Sequence, residues 1–517
     1  LQWPFKQILD PGLKPFASFI QKQNGKEMDV NEKIDTLFNP KSIAIIGASK
    51  TIGKWGFAFL LHLIKGGYKG EIYPVNPTVG ELLGIKTYKS LREIPGSVDV
   101  AFVLIQPEQV ARAIAECGEI GIPACVVITA GFKELGPEGM KLEKTVANAA
   151  KSAGIAMVGP NCAGISSPHP MSLYCMMQPN FPPPGNIAIV SQSGNLAGSI
   201  QHMCWKQDIG ISRCVSVGNQ ALLKTEDFLE YFITDKQTNL VLAYIESISD
   251  GKRFMEISRK LTQEKPLILI KGGKSEVGVR AAKSHTGAIA GSDAAFDAIT
   301  KQCGIIRVDD VEDMFDTAVA LLSQPVPKGN RVGIVANGGG WGVITADACS
   351  NSGLNVAPLS EKTLQALDNR LPPWWNRQNP VDMVAGMSRG AFFKAVEILC
   401  KCDEIDSVIT LGFGYGKPFA DVIDSITDGE NLNVTEYVQG AIDSDKRGMH
   451  FLLDMIKRYK KPILLSSEYI IGADRDKNEA VLDLRKKNVL IYPSSRRTAG
   501  VLARLVRYGR YLQRTLP

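Results

Sequence analysis

The stretch Lys283-Ser284-His285-Thr286-Gly287-Ala288-Ile289-Ala290-Gly291 sets one of only five histidines in a loop of small residues. A neutral imidazole is a nucleophile near pH 7, and the surrounding Gly and Ala leave room for a phosphoryl group and for movement of the segment. The chemistry this suggests is phosphoryl transfer through histidine. A blander reading stays open on these residues alone: Ser284 or Thr286 caps a following helix, and His285 is an ordinary surface residue.

An anionic group needs positively polarised partners, and three segments offer them. They are Ser42-Ile43-Ala44-Ile45-Ile46 leading into Gly47-Ala48-Ser49 and on to Gly53 and Gly56, Ile187-Ala188-Ile189-Val190 leading into Ser191-Gln192-Ser193-Gly194, and Val332-Gly333-Ile334-Val335-Ala336 leading into Asn337-Gly338-Gly339-Gly340. Each reads as a buried strand, a Gly- or Ser-rich turn and a helix, so that free backbone N–H groups and the positive helix end converge. Gly47, Gly53 and Gly56 are spaced more loosely than the dinucleotide GxGxxG pattern, and no Walker-type GKS or GKT follows them. Glycine also serves plain strand-to-helix packing, so no single turn is decisive.

The elements that must carry these turns alternate short β-branched runs with amphipathic stretches, as in α/β proteins with mostly parallel sheets. At 517 residues the chain is too long for one core. The proline cluster Pro179 to Pro184 and the run Gln324 to Gly329 read as linkers. The resulting expectation is an N-terminal extension at 1–34 and three α/β domains at 35–180, 181–325 and 326–517. The net charge of +6 is spread without a dense basic block, which suits a small anionic ligand better than nucleic acid. Ten cysteines without CxxC pairs read as reduced thiols in a cytoplasmic protein, and no metal site is expected. No apolar run of membrane-spanning length is present, and residues 1–34 lack the apolar core of a secretory signal.

The ordered set Phe38-Asn39-Pro40-Lys41-Ser42, Gly159-Pro160-Asn161-Cys162, Ser191-Gln192-Ser193-Gly194, Gly218-Asn219, Lys271-Gly272-Gly273, Ser284-His285-Thr286-Gly287 and Asn379-Pro380-Val381-Asp382 resembles the NDP-forming acyl-CoA synthetases of the succinyl-CoA synthetase superfamily. Within them it is most similar to the α subunit of ADP-forming acetyl-CoA synthetases. The resemblance implies an N-terminal Rossmann-like CoA-binding domain followed by two flavodoxin-like CoA-ligase domains. It implies that acyl-CoA and phosphate give an acyl phosphate, that His285 takes the phosphoryl group, and that ADP receives it, or the reverse. Ser191, Gln192, Ser193, Gly194 and Asn337, Gly338, Gly339, Gly340 match the family's two phosphate-facing turns, and Glu246 is the candidate carboxylate that fixes the imidazole.

CoA is expected against Gly47, Ser49, Lys50, Thr51, Ile52 and Gly53, with Asn76, Pro77, Gln106 and Pro107 on its adenosine side and Asn161 at the acyl group. Lys54 either neutralises a phosphate or covers the helix start. Cys162 and the remaining histidines read as structural. No stretch resembles an ATP-grasp module, so ATP or ADP and Mg²⁺ are expected on a partner β subunit, in an α2β2 assembly as in relatives. One departure stands out. Relatives place Lys and Asp after the Gly-Asn pair, where this chain has Gln220-Ala221-Leu222-Leu223. A catalytically silent CoA sensor is therefore the alternative, and a nicotinamide-dependent dehydrogenase, resting on Gly47-Ala48-Ser49 alone, ranks last.

Overall fold

The computed structural model describes residues 28–280, 292–383, 389–412, 422, 434–468 and 479–515, so the segment carrying His285 lies outside the described residues. The first sheet is built from β1 (Ser42–Ile46), β2 (Glu71–Val75), β5 (Val100–Val103), β6 (Ala124–Val127) and β7 (Ala156–Val158), with β3 (Glu81–Leu82) and β4 (Ile85–Lys86) forming a separate short hairpin. All its pairings are parallel, in the spatial order β2-β1-β5-β6-β7. Every residue of β1, β5 and β6 is buried, as expected of strands covered on both faces.

The second sheet contains β8 (Gly164–Ser167), β9 (Leu173–Met176), β10 (Pro184–Ser191), β11 (Ile211–Ser216), β12 (Leu240–Ile245), β13 (Leu267–Lys271) and β14 (Ile306–Val308), in the order β14-β13-β12-β10-β11-β8-β9. The third contains β15 (Arg331–Ala336), β16 (Asn355–Val356), β17 (Val381–Asp382), β18 (Ser407–Leu411), β19 (Ile463–Ser466) and β20 (Ile491–Tyr492), in the order β16-β15-β18-β19-β20 with β17 also paired to β15. In each sheet the first long parallel strand has the next parallel strand on one side and the later ones on the other. That is the doubly wound order with a switch point beside the first strand, where a ligand crevice opens at the strands' carboxyl ends. The three Gly- and Ser-rich turns follow β1, β10 and β15, so each sits at its own sheet's switch point.

Three features differ from the sequence reading. Strands β8 and β9 fall before the proline cluster yet complete the second sheet, β8 pairing antiparallel with β11 and β9 antiparallel with β8. Gly164, at φ 105°, permits this because a Cβ there would lie 2.1 Å from the Cys175 carbonyl oxygen. The proline cluster itself ends in strand, since Pro184 opens β10. The helix α1 (Val30–Phe38) begins inside the stretch read as an extension, with Asp29 and Glu32 closing a capping box at its start.

Helix α1 packs toward the second sheet. Phe38 is fully buried against Phe228, Tyr231 and Phe232 of the helix Thr225–Thr234, at ring-centroid distances of 6.1, 5.7 and 6.2 Å. The Tyr231 hydroxyl donates to Asp35 at 2.8 Å. The guanidinium of Arg213, 1% exposed, lies over the Phe38 ring and donates to Ser167 Oγ at 2.6 Å and to the His169 carbonyl at 2.9 Å. At the far end the C-terminal helix Ser495–Thr515 is tied to the helix Val311–Ser323 by Arg497–Asp316 at 2.7 Å and by the Arg504–Asp313 pair. Among the described residues no helix is long and apolar enough to cross a membrane.

Candidate active site

The turn after β1 is shaped by close backbone approach. Gly47 has φ 92°, and a Cβ on it would lie 2.4 Å from the Leu104 carbonyl oxygen, while one on Gly56 would lie 2.1 Å from the Gly47 carbonyl oxygen. Only glycines let the helix α2 (Trp55–Lys65) start directly against β1 and β5. Its N-cap is Lys54, whose side chain makes no cap bond, so the first N–H groups of the helix face outward without a side-chain acceptor. Asn76 Nδ2 donates to the Ala48 carbonyl at 2.7 Å and ties the β2 turn to the same spot.

This turn forms one wall of a cavity of about 750 Å³. Gly47, Ser49, Gly53, Asn76, Gln106 and Asn161 line it, together with Gln192, Ser193 and Gly194 from the second sheet. The cavity therefore spans the carboxyl ends of both sheets and brings two of the three turns together. Lys50, Thr51 and Ile52 are exposed beside its mouth, and neither they nor Pro77 and Pro107 line it; Pro107 instead starts the helix Pro107–Glu119. Lining residues beyond those expected include Trp55, Thr129, Ala130, Met177, Asn195 and Asn219. Thr129, Ala130, Met177 and Asn219 fall within three residues of the end of a strand, which is the positional signal by which they could have been found.

The second wall is set by buried polar side chains. Ser191, fully buried, donates from Oγ to the Ser193 carbonyl at 2.7 Å, and Ser193 caps the helix Gly194–Lys206 by accepting from Leu196 N–H at 3.4 Å. The Gln192 side chain points away from a ligand role: Oε1 accepts from the N–H groups of Glu246 and Ser247 at 2.7 and 3.0 Å, and Nε2 donates to the Ser247 carbonyl at 2.8 Å. It fixes the backbone at the end of β12. Replacing Gln192 with leucine should leave these buried groups without partners and lower stability by about 3 kcal/mol, read as a reduced urea midpoint. An unchanged midpoint would mean that the two loops are held by other contacts.

Glu246 itself is 5% exposed, accepts a hydrogen bond from the Tyr244 hydroxyl, and has its carbonyl bound by Lys271 Nζ at 2.8 Å. Burial lowers the Lys271 pKa from its ordinary value, against the pull of Asp293 and Glu246. The expected pairing of Glu246 with His285 falls on a residue outside the described ones.

The third turn lies apart from this cavity. Asn337, Gly339 and Gly340 are exposed at the start of the helix Gly339–Asn351, whose N-cap is Gly338. A Cβ on Gly339 would lie 2.6 Å from Asp382 Oδ2, so a carboxylate already stands at this helix end.

Between the two walls runs a polar relay. Asn161, at φ 56° after the Gly159–Pro160 cis bond, donates from Nδ2 to Asn219 Oδ1 at 3.3 Å. Asn219 Nδ2 in turn donates to Glu134 and Glu143, both at 2.7 Å, and its carbonyl accepts from Lys133. Burial pushes both carboxyls up. For Glu134, the bonds from Asn219, Gly131 and Phe132 outweigh it and hold the pKa below the ordinary value; for Glu143 burial prevails over Lys133 and Asn219.

Gln220 is anchored locally, its Oε1 accepting from both the N–H and the hydroxyl of Thr225 at 2.8 Å. Cys162 is buried with its thiol donating to the Val127 carbonyl at 3.2 Å, and burial pushes its pKa up to about 12, which suits packing and not nucleophilic attack. His62 donates from Nδ1 to the Met176 carbonyl at 2.8 Å, and His202 Nδ1 lies 2.9 Å from Asn180 Oδ1. No group of three or more His, Cys, Asp or Glu among the described residues is placed to hold a metal ion.

Fold and cavity together define a multidomain α/β protein with a cavity across the carboxyl ends of two of its sheets. Family models agree: residues 41–168 match a CoA binding domain and residues 184–321 a succinyl-CoA ligase like flavodoxin domain. The chain is 41% identical over 381 residues to the α subunit of acetate–CoA ligase [ADP-forming] II of Pyrococcus furiosus, covering 73% of this chain and 82% of that one. It is 36% identical over 488 residues to the α subunit of acetate–CoA ligase [ADP-forming] I of the same organism, covering 92% and 98%. A solved structure of the dinucleotide forming acetyl-coenzyme A synthetase 1 of Ca. Korarchaeum cryptofilum, in complex with phosphate and ADP, superposes with a TM-score of 0.79 at 32% identity, over 94% of this chain and 99% of that one. The chain belongs to the family of ADP-forming acetate–CoA ligase α subunits.

Proposed function

We propose that the chain is the CoA-binding, phosphohistidine-bearing α subunit of an ADP-forming acyl-CoA synthetase, interconverting acid, CoA and ATP with acyl-CoA, ADP and phosphate. The observation that carries this is the single cavity joining the turn after β1 to the start of the helix Gly194–Lys206. CoA fits the first wall: the uncapped start of α2, the open face of Gly53 and the neighbouring Lys50 and Lys54 suit phosphates, while Asn76 and Gln106 line the same cavity. The thioester end would then reach Asn161 and the Ser193 helix start, where phosphate is favoured by free N–H groups and the helix dipole.

In the direction that makes ATP, a phosphate oxygen attacks the thioester carbon and CoA leaves as the thiolate. An imidazole nitrogen of His285 then attacks phosphorus, and the carboxylate departs. A terminal phosphate oxygen of ADP takes the phosphoryl group and frees the imidazole. Glu246 is the group we assign to orienting that imidazole, and the turn from Asn337 to Gly340 is the second helix end we assign to the phosphoryl group. Relatives named as ligases over nearly their whole length favour turnover over a silent CoA-sensing role.

ADP or ATP and Mg²⁺ are assigned to an ATP-grasp β subunit in an α2β2 assembly, and a subunit partner is supported by relatives that are themselves named α subunits. Cytoplasmic residence is supported by its ten unpaired cysteines. The test is a thermal melt of the full chain with CoA. Binding should stabilise it by about 2.7 kcal/mol at a hundredfold excess over the dissociation constant, and an unmoved transition at millimolar CoA would sink the proposal.

A further inference from the structure

The geometry points to Asn219, clamped by Glu134 and Glu143, as a positioning residue that fixes the Asn161 amide so that its second N–H faces the thioester carbonyl of the acyl-CoA. This rests on the cavity being the CoA and acyl site. Carboxylate oxygens accept, and one from each glutamate lies 2.7 Å from Asn219 Nδ2, so that nitrogen faces them and the carbonyl oxygen faces Asn161.

The carboxylates are themselves held. Glu134 Oε1 accepts from the N–H groups of Gly131 and Phe132 at 2.7 and 3.1 Å, and Glu143 lies 3.8 Å from Lys133 Nζ. Asn219 is 6% exposed, and its backbone N–H donates to the Pro160 carbonyl at 2.9 Å. With Asn219 Oδ1 fixed as an acceptor, one Asn161 N–H is directed to it at 3.3 Å. The other Asn161 N–H is left for the cavity that Asn161 lines. The backbone of Asn161 is pinned as well, its N–H donating to the Thr129 carbonyl at 2.9 Å. A donor held this way reads the acyl carbonyl common to all acyl-CoA substrates, whatever the acyl chain.

The experiment titrates the full chain with CoA and with acetyl-CoA by calorimetry and reads the ratio of the two dissociation constants. Asn219→Asp removes both donors and sets a carboxylate against two others. It should reduce the preference for acetyl-CoA about 10-fold while CoA affinity stays within about 2-fold. Asn161→Ala should lower the ratio equally, and adding Asn219→Asp to it should change nothing more.

The triple variant Glu134→Gln, Glu143→Gln, Asn219→Asp reverses the polarity, since each glutamine can donate to the new carboxylate while Asn161 still donates to it. It should restore the ratio to within about 3-fold of wild type. A ratio unmoved by either single variant overturns the inference, as does parallel loss of CoA and acetyl-CoA in Asn219→Asp or a folded triple variant that fails to recover. Wild-type protein that binds neither ligand would overturn the functional reading and this inference together, whereas normal CoA binding with an unchanged ratio overturns the inference alone.

Discussion

His285→Ala should abolish the acid-labile phosphoryl label that the chain acquires from labelled ATP and Mg²⁺ in the presence of its partner subunit, and lower the overall rate by at least about 1,000-fold. In the proposed relay His285 is the nucleophile, so its removal leaves binding energy without a covalent carrier. Two other imidazoles are committed to structure: His62 is buried against the Met176 carbonyl, with burial lowering its pKa, and His202 contacts Asn180. CoA-induced stabilisation should persist in the variant, since the cavity's lining among the described residues comes from the turns after β1 and β10 and the Asn161 loop. Label that survives the substitution would place the phosphoryl carrier elsewhere.

Gly56→Ala should instead weaken CoA binding itself. Its new methyl group would have to occupy a point 2.1 Å from the Gly47 carbonyl oxygen, and Gly47 cannot yield because it is itself pressed against the Leu104 carbonyl. Helix α2 must then retreat from the turn, at a cost of about 1–3 kcal/mol in stability. The same retreat carries its free N–H groups away from the phosphates, so CoA affinity should fall more than about 10-fold. Gly53→Ala is the control. It meets no atom within 4 Å, although its φ of 92° carries some strain, so it should perturb stability without moving the helix. Equal CoA affinity in Gly56→Ala and wild type, by calorimetry, would remove the α2 start from the binding site.

The parts of this fold that could be read from sequence were those whose causes are local. A run such as Ser42–Ile46 followed by Gly47 announces a buried strand and a tight turn, and the same pattern recurs before Ser191 and Asn337. That these turns all fall at switch points needed the sheet order, which depends on pairings between distant strands. Strands β8 and β9 were hidden because Gly, Ser and Pro around 164–172 carry turn propensity, which pairing with β11 overrides. The role of Gln192 was equally hidden: its residue type fits a phosphate turn, but its partners are 54 and 55 residues away at Glu246 and Ser247. Glu134, Glu143 and Asn219 meet across separations of 85 and 76 residues, and only the folded chain brings those three together.

The seam between the first two sheets is stitched on several sides. Helix α1 crosses it through Phe38 and the Asp35–Tyr231 bond, β8 and β9 are plaited into the second sheet directly after the Asn161 loop, and Lys133 reaches the Asn219 carbonyl from the first unit. Parting the two walls of the cavity would have to break all of these contacts at once, so the groove between the sheets keeps its width only as long as helix α1, the β8–β11 pairing and the Lys133 bond hold together.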